Sequence, residues 1–355
     1  HGLSGRTLTN NTYVRIFIKM NIQNNRHKSL HDTLIRYPKF KELHNDIREC
    51  QEESQVANEP QCMSLEGVTG VGKSTLIRDY IKEFPRSETT GGIKIPILYV
   101  EMPSPVTVKT LAQTMLAYLG DPGWDKGTQP VLDARIIKFI KHCEVKLVVL
   151  DDFQHLIDSE TEKILAKVSN WLKTLIKKSG VPFLVIGIDG KVEMILQSND
   201  QLSRLFAVRE KLSKFEWDAS KPETIQSFAK FMVATEKVIG LRLPWCSNGD
   251  AELLFRLHYA TDGVVANIMN LMRSARRAAD TQGTEQLDLN ILAAVYDKRL
   301  SKHVGRENPF HQPLDASFKV AQPKPKPNGR SNNGKGGKRG SGRKNDPSAN
   351  DVLRT

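Results

Sequence analysis

The sequence predicts an α/β fold: a parallel sheet between layers of helix, followed by a small helical domain and a basic tail. Three observations predict it. Short apolar strands alternate with amphipathic helical stretches between about residues 61 and 212, the pattern of βαβ units. A glycine-rich turn joins the first of those strands to the first of those helices. After about residue 218 strand-like runs stop, and the periodic stretches up to Leu300 all have helical spacing.

The elements follow in order. Residues 28–57 carry Leu30, Leu34, Ile35, Phe40, Leu43 and Ile47 at roughly helical spacing, with Pro38 breaking or restarting the helix. Gln61–Glu66 reads as a strand, and Lys73–Phe84 as a helix that stops before Pro85. Ile95–Glu101 is a strand, Thr107–Leu119 a helix, and Asp133–Cys143 a helix with Asp133 as its N-cap. Lys146–Asp151 is a strand without a polar break, as expected of one buried on both faces. Thr161–Lys178 is a long helix, Pro182–Gly187 a further apolar strand and Val208–Leu212 an edge strand. Pro222–Ile239, Asp250–Tyr259, Asp262–Asp280 and Asp288–Leu300 read as the later helices.

This divides the chain into an extension over 1–27, an α/β core with a helical linker over 28–217, a helical region over 218–304 and a tail over 305–355. The extension and the tail are expected to be disordered, since the tail's Pro, Gly, Asn, Ser, Lys and Arg cannot bury enough surface to fold. Residues 317–355 hold ten Lys or Arg against two Asp, a net +8 of the chain's +12. The folded body is therefore only mildly basic. Hydrophobic content of 39% and charged content of 26% suit a globular protein. The longest apolar runs, such as Val181–Ile188, are too short to span a bilayer. The four cysteines form no C-x-x-C pair and no zinc spacing, so a reducing, cytoplasmic compartment is expected.

Gly67-Val-Thr-Gly-Val-Gly72-Lys73-Ser74-Thr75 fits G-x-x-x-x-G-K-[ST], the phosphate loop or Walker A motif. Glycines at Gly67, Gly70 and Gly72 let main-chain amides turn toward phosphate oxygens. Thr69 and Val71 fill the loop, and the helix starting at Lys73 aims its positive end at the same place. The Lys73 ammonium is expected on the β- and γ-phosphates of ATP, and the Ser74 hydroxyl, beside Thr75, on Mg²⁺. The apolar strand Leu147–Leu150 ends in Asp151-Asp152, the place of a Walker B element. Asp151 would hold the metal directly or through water, and Asp152 would orient or deprotonate the attacking water.

Two further positions are candidates. Asp200-Gln-Leu-Ser-Arg204 follows the last apolar strand. Arg204, with Arg209 as the competitor, would reach a neighbouring subunit's γ-phosphate and stabilise developing charge. Asp189, in Gly187-Ile-Asp-Gly190, is either a contact to the attacking water or a plain turn residue.

Together the phosphate loop, Asp151-Asp152-Phe-Gln-His155 and Gln201-Leu-Ser-Arg204 resemble AAA+ ATPases, and more narrowly the TniB/TnsC transposition regulators. Trp171 to Gly187, Leu241-Arg-Leu-Pro244, Thr261-Asp-Gly263 and Ile268–Arg273 are similar to the same family. The resemblance covers roughly residues 30–300. It implies an AAA+ core with a helical lid and an ATP-dependent homo-oligomer, a ring or filament, wrapped on double-stranded DNA. It also implies a transposase and a target-selection protein as partners, and a bacterial, nucleoid-associated location. Three departures stand out. The family usually has Glu where Asp152 stands, Ile188 replaces a sensor threonine, and no arginine closely follows Gly263, Arg273 and Arg276 lying further on. Hydrolysis is accordingly expected to be slow.

DNA contact is expected from Lys109, beside Thr107, and from Lys126 in the loop 121–128, with the tail adding affinity for DNA or a partner. The competing functions are a helicase-loader or DNA-remodelling ATPase and a nucleotide-switch signalling ATPase.

Overall fold

The computed structural model describes residues 34–158, 162–242 and 251–311, all within one compact unit. The expected extension, Leu30, Pro244, Cys246 and residues 312–355 of the tail lie outside the described residues. Residues 305–311, expected to belong to a disordered tail, instead pack on the helical region, where Phe310 is buried and Arg306 donates to the Tyr259 carbonyl at 2.9 Å.

Residues 34–37 are not helical, and the first described helix, α1 (Pro38–Val56), begins at Pro38. Its missing N–H falls where no intrahelical partner exists. Phe40, Leu43, Ile47 and Cys50 are its buried stripe. Strand β1 (Met63–Glu66) leads through the glycine loop into α2 (Lys73–Ile81). That helix stops short of the expected Phe84. The amides of Lys82, Glu83 and Phe84 bond three residues back, to Asp79, Tyr80 and Ile81, tightening the turn before Pro85.

A short antiparallel hairpin follows, β2 (Ser87–Thr89) with β3 (Gly92–Lys94). The sequence reading did not foresee it, because the three residues of β2 are exposed and carry no apolar alternation. Then come β4 (Ile97–Glu101) and α3 (Val108–Tyr118). Next is α4 (Gln129–His142), which starts four residues before the expected Asp133. Pro130 occupies its first turn. The Asp133 carboxylate is no N-cap: it accepts from Gln129 Nε2 at 2.7 Å and from Trp171 Nε1 at 2.8 Å.

The core continues with β5 (Leu147–Asp151), α5 (His155–Asp158), α6 (Glu162–Ser179), β6 (Phe183–Gly187), α7 (Lys191–Gln197), α8 (Asp200–Leu205) and β7 (Val208–Lys211). The helical region holds α9 (Pro222–Ile239), α10 (Ala251–Thr261), α11 (Val265–Gln282), α12 (Leu289–Arg299) and α13 (Ser301–Val304). No described helix is long and apolar enough to cross a membrane.

The main sheet has strand order β4-β5-β6-β1-β7, with every pairing parallel. Successive residues of β5 and of β6 enter opposite cores. Val148, Leu150, Phe183 and Val185 pack under α3, α4 and α6, while Leu147, Val149, Leu184 and Ile186 pack under α1 and α2. This two-sided burial is why those strands lack a polar alternation. A third apolar cluster lies among α9 to α12. The next strand after β1 in the sheet, β4, lies three places to one side, and β7 lies on the other. A crevice opens at such a switch point, beyond the carboxyl ends of β1, β5 and β6.

Candidate functional site

The glycine loop fills that crevice. Gly70 and Gly72 have φ of +87° and +109°, conformations that other residues adopt only with strain. Gly67 is needed for space instead: a Cβ there would lie 2.3 Å from the Leu212 carbonyl oxygen. Val71 is buried in the core and anchors the loop from below. Helix α2 has no side-chain cap at its N-terminus, so its leading amides remain available to an anion.

Lys73 Nζ donates to the carbonyls of Gly67 at 2.7 Å and Val68 at 3.2 Å. Burial lowers the pKa of this ammonium from its ordinary value, opposed by Asp151, Asp152 and Asp189. Ser74 Oγ donates to Asp151 Oδ2 at 3.0 Å, and Tyr99 Oη donates to the same oxygen at 2.7 Å. Burial, then the bond to Asp151, raises the Tyr99 phenol. Asp151 is 4% exposed. The Ser74 and Asp151 oxygens suit magnesium. Both are hard donors, and adjacent ligands of an octahedral ion with bonds of ~2.1 Å stand about 3.0 Å apart.

Asp152 is exposed and takes the left-handed conformation, φ +57°. Its carboxylate accepts from Gln154 Nε2 at 2.9 Å. Gln154 is buried, and its Oε1 accepts from the Ile188 amide at 3.3 Å.

These groups open into a cleft of about 590 Å³. Thr69, Gly70, Gly72, Lys73, Ser74 and Thr75 line it with Asp151 and Asp152. Ile35, Tyr37, Phe231 and Met269 supply apolar lining, and Arg273, Arg277 and Arg299 supply cations from the helical region. Burial pushes the Tyr37 phenol up to about 12. Helix α11 rests directly on the loop, its Ala266 amide donating to the Gly70 carbonyl at 2.9 Å. Its approach depends on Gly263, where φ is +65° and a Cβ would meet the Phe215 carbonyl oxygen at 2.0 Å.

The structure thus brings the loop, Asp151 and Asp152 together. Asp189 does not line the cleft; it pairs with Lys211 at 2.8 Å. Arg204, on α8, is exposed and outside the cleft, with no side-chain partner among the described residues. Its competitor Arg209 is occupied by Glu193, Ser203 and the Phe206 carbonyl. Lys109 and Lys126 are exposed and away from the cleft. The Thr107 hydroxyl is taken up capping α3 through Thr110. Sequence reasoning gave no role to Tyr99, Gln154, Tyr37, Arg277 or Arg299. Only Gln154 had a visible signal, its place in the acidic strand-end motif.

A family profile described as Bacterial TniB protein matches residues 26–217, more than half of the chain. The chain belongs to the TniB family. No curated protein matches it. Among solved structures, this TniB chain is similar to the ORC2 protein of Aeropyrum pernix, in its ADPNP–ADP complexes. Identity is 15% and the TM-score 0.52, over 75% of this chain and 68% of that one. The ORC1 protein of Aeropyrum pernix, solved in complex with DNA, matches at 15% identity and TM-score 0.53, over 75% and 66%. CDC6P from Pyrobaculum aerophilum matches at 11% identity and TM-score 0.53, over 75% and 69%. This TniB chain spans about two thirds of those proteins' length. The likeness shows the fold, that of AAA+ P-loop ATPases, in agreement with the sequence expectation.

Proposed function

We propose that this TniB chain is an ATP-dependent DNA-binding regulator of transposition. It oligomerises as a ring or filament on double-stranded DNA and recruits or activates a transposase at a site marked with a target-selection protein. The observation that carries this reading is the convergence of Lys73, Ser74, Asp151 and Asp152 on one cleft beneath a glycine loop.

Main-chain amides of residues 69–75 and the Lys73 ammonium hold the phosphate oxygens of ATP. Ser74 and Asp151 would hold Mg²⁺, which when bound would neutralise charge on the phosphate oxygens. Asp152 orients the attacking water and takes its proton. Its side chain is one methylene shorter than glutamate, which favours slow turnover and a role for ATP in assembly. Arg204 acts in trans: its exposure and lack of a partner suit a residue that completes a neighbouring subunit's site. Of the two roles open to Asp189, its pairing with Lys211 outside the cleft favours that of a turn residue.

Support for DNA comes from the exposed Lys109 and Lys126, from the tail's net +8, and from the ORC1 protein solved with DNA. The test is electron microscopy of the full chain with MgATP and duplex DNA, for wild type, Lys73→Ala and Arg204→Ala. Wild type should form rings or filaments on DNA, and both variants should fail to. Equal assembly by all three would refute the reading.

A further inference from the structure

We infer that Gln154 is a positioning residue that latches Asp152 to the tip of β6. The inference rests on the hydrolytic reading of Asp152 given above. One buried amide spans both partners: Gln154 Nε2 donates to Asp152 Oδ1 at 2.9 Å, and Gln154 Oε1 accepts from the Ile188 amide at 3.3 Å. The orientation of that amide is decided by chemistry. The Ile188 N–H can only donate and an ionised carboxylate can only accept, so a flipped amide would oppose like to like at both ends.

The latch is built into its surroundings. Gln154 is 6% exposed. A Cβ at Gly187 would come 2.8 Å from its Oε1 and 2.6 Å from Val192 Cγ2, so glycine there makes room for the amide. The adjacent Phe153 amide donates to the Ile186 carbonyl at 2.9 Å, fastening the same segment to β6. Asp152 itself holds a backbone conformation sparse among non-glycine residues, φ +57°. It turns an exposed carboxylate into the cleft mouth, where only Gln154 is bonded to it among the described residues. The Ile188 end of the amide also lines the cleft. Gln154 thereby ties the aim of the catalytic carboxylate to the position of the β6 tip, whose next residue, Asp189, pairs with Lys211 on β7. A shift of the sheet's outer strand is passed to Asp152 through this amide.

Two substitutions separate latching from packing. Gln154→Leu loses both bonds. Gln154→Glu keeps an acceptor for Ile188 but sets a carboxylate against Asp152. The experiment measures steady-state ATP turnover and ATP affinity of the full chain, with duplex DNA, for both variants, for Asp152→Asn and for each double mutant. Both single variants should lower kcat by about tenfold or more while ATP affinity stays within about twofold, which also reports an intact fold. In the Asp152→Asn background neither should slow turnover further. Wild-type turnover by Gln154→Glu, or losses that multiply in the double mutants, would overturn the latch alone. A wild-type chain that binds MgATP without turning it over would overturn the hydrolytic reading and the latch with it.

Discussion

Replacing Gly67 by alanine tests whether the loop is held by its neighbours or only by its own backbone. The new methyl would lie 2.3 Å from the Leu212 carbonyl oxygen, 3.0 Å from Val71 Cγ2 and 3.3 Å from the Leu212 carbonyl carbon. The closest of these atoms is backbone, so no side chain can swing away. Relief requires the chain after β7 to retreat by about 1 Å. That movement pulls on the bond from the Leu212 amide to the Glu66 carbonyl, 2.8 Å, worth about 0.5–1.5 kcal/mol. It also loosens Leu212, which is 1% exposed and gains about 1.5–3 kcal/mol from full burial. The expected loss is roughly 2–4 kcal/mol. For a domain of this size that lowers Tm by about 4–16 °C. Gly91→Ala is the control, since its nearest atom, Thr89 Oγ1, is at 3.8 Å, an ordinary contact. Thermal unfolding by circular dichroism should leave Gly91→Ala at the wild-type Tm and lower Gly67→Ala. A Gly67→Ala protein melting within about 1 °C of wild type would refute the steric account.

Two further outcomes follow from the charges. Arg204→Ala should leave stability within about 0.5 kcal/mol yet remove about a thousandfold or more of assembly-dependent ATP turnover. Arg209→Ala should instead cost about 0.5–1 kcal/mol through its lost pair with Glu193, and turnover against protein concentration separates the two. Lys73 is charged below its pKa, and burial sets that pKa below the ordinary 10.5. Attraction for triphosphate is therefore present at neutral pH and lost as pH rises through the lowered value. Calorimetry across the alkaline range should show MgATP affinity falling for wild type but not for Lys73→Arg, whose guanidinium stays charged; parallel profiles would contradict it.

The site was partly legible in the sequence because part of its chemistry is local. The loop from Gly67 to Thr75 is specified by consecutive residues, and the apolar run ending in Asp151 announces a buried strand with an acid at its tip. Errors arose where a local signal had a distant competitor. Asp133 has the form of an N-cap, but its carboxylate is taken by Trp171, 38 residues away, and Pro130 starts the helix earlier. The bond from Tyr99 to Asp151 joins positions 52 apart, and no periodicity in β4 reveals it. Arg273, Arg277 and Arg299 reach the cleft only because α11 is docked on the loop through Ala266 and Gly70.

Read alone, the sequence determined the order of the main sheet's strands and of the long helices, the phosphate-binding loop and the acid at the end of β5. These depend on which φ angles glycine permits, on where proline can sit, and on the period of apolar residues, all of which act between near neighbours in the chain. Tertiary structure decided which strands lie side by side, that Arg209 is bound while Arg204 is open, and that Gln154 joins Asp152 to β6. Those outcomes depend on packing between segments far apart in sequence, where displacement by a single residue exchanges one set of partners for another.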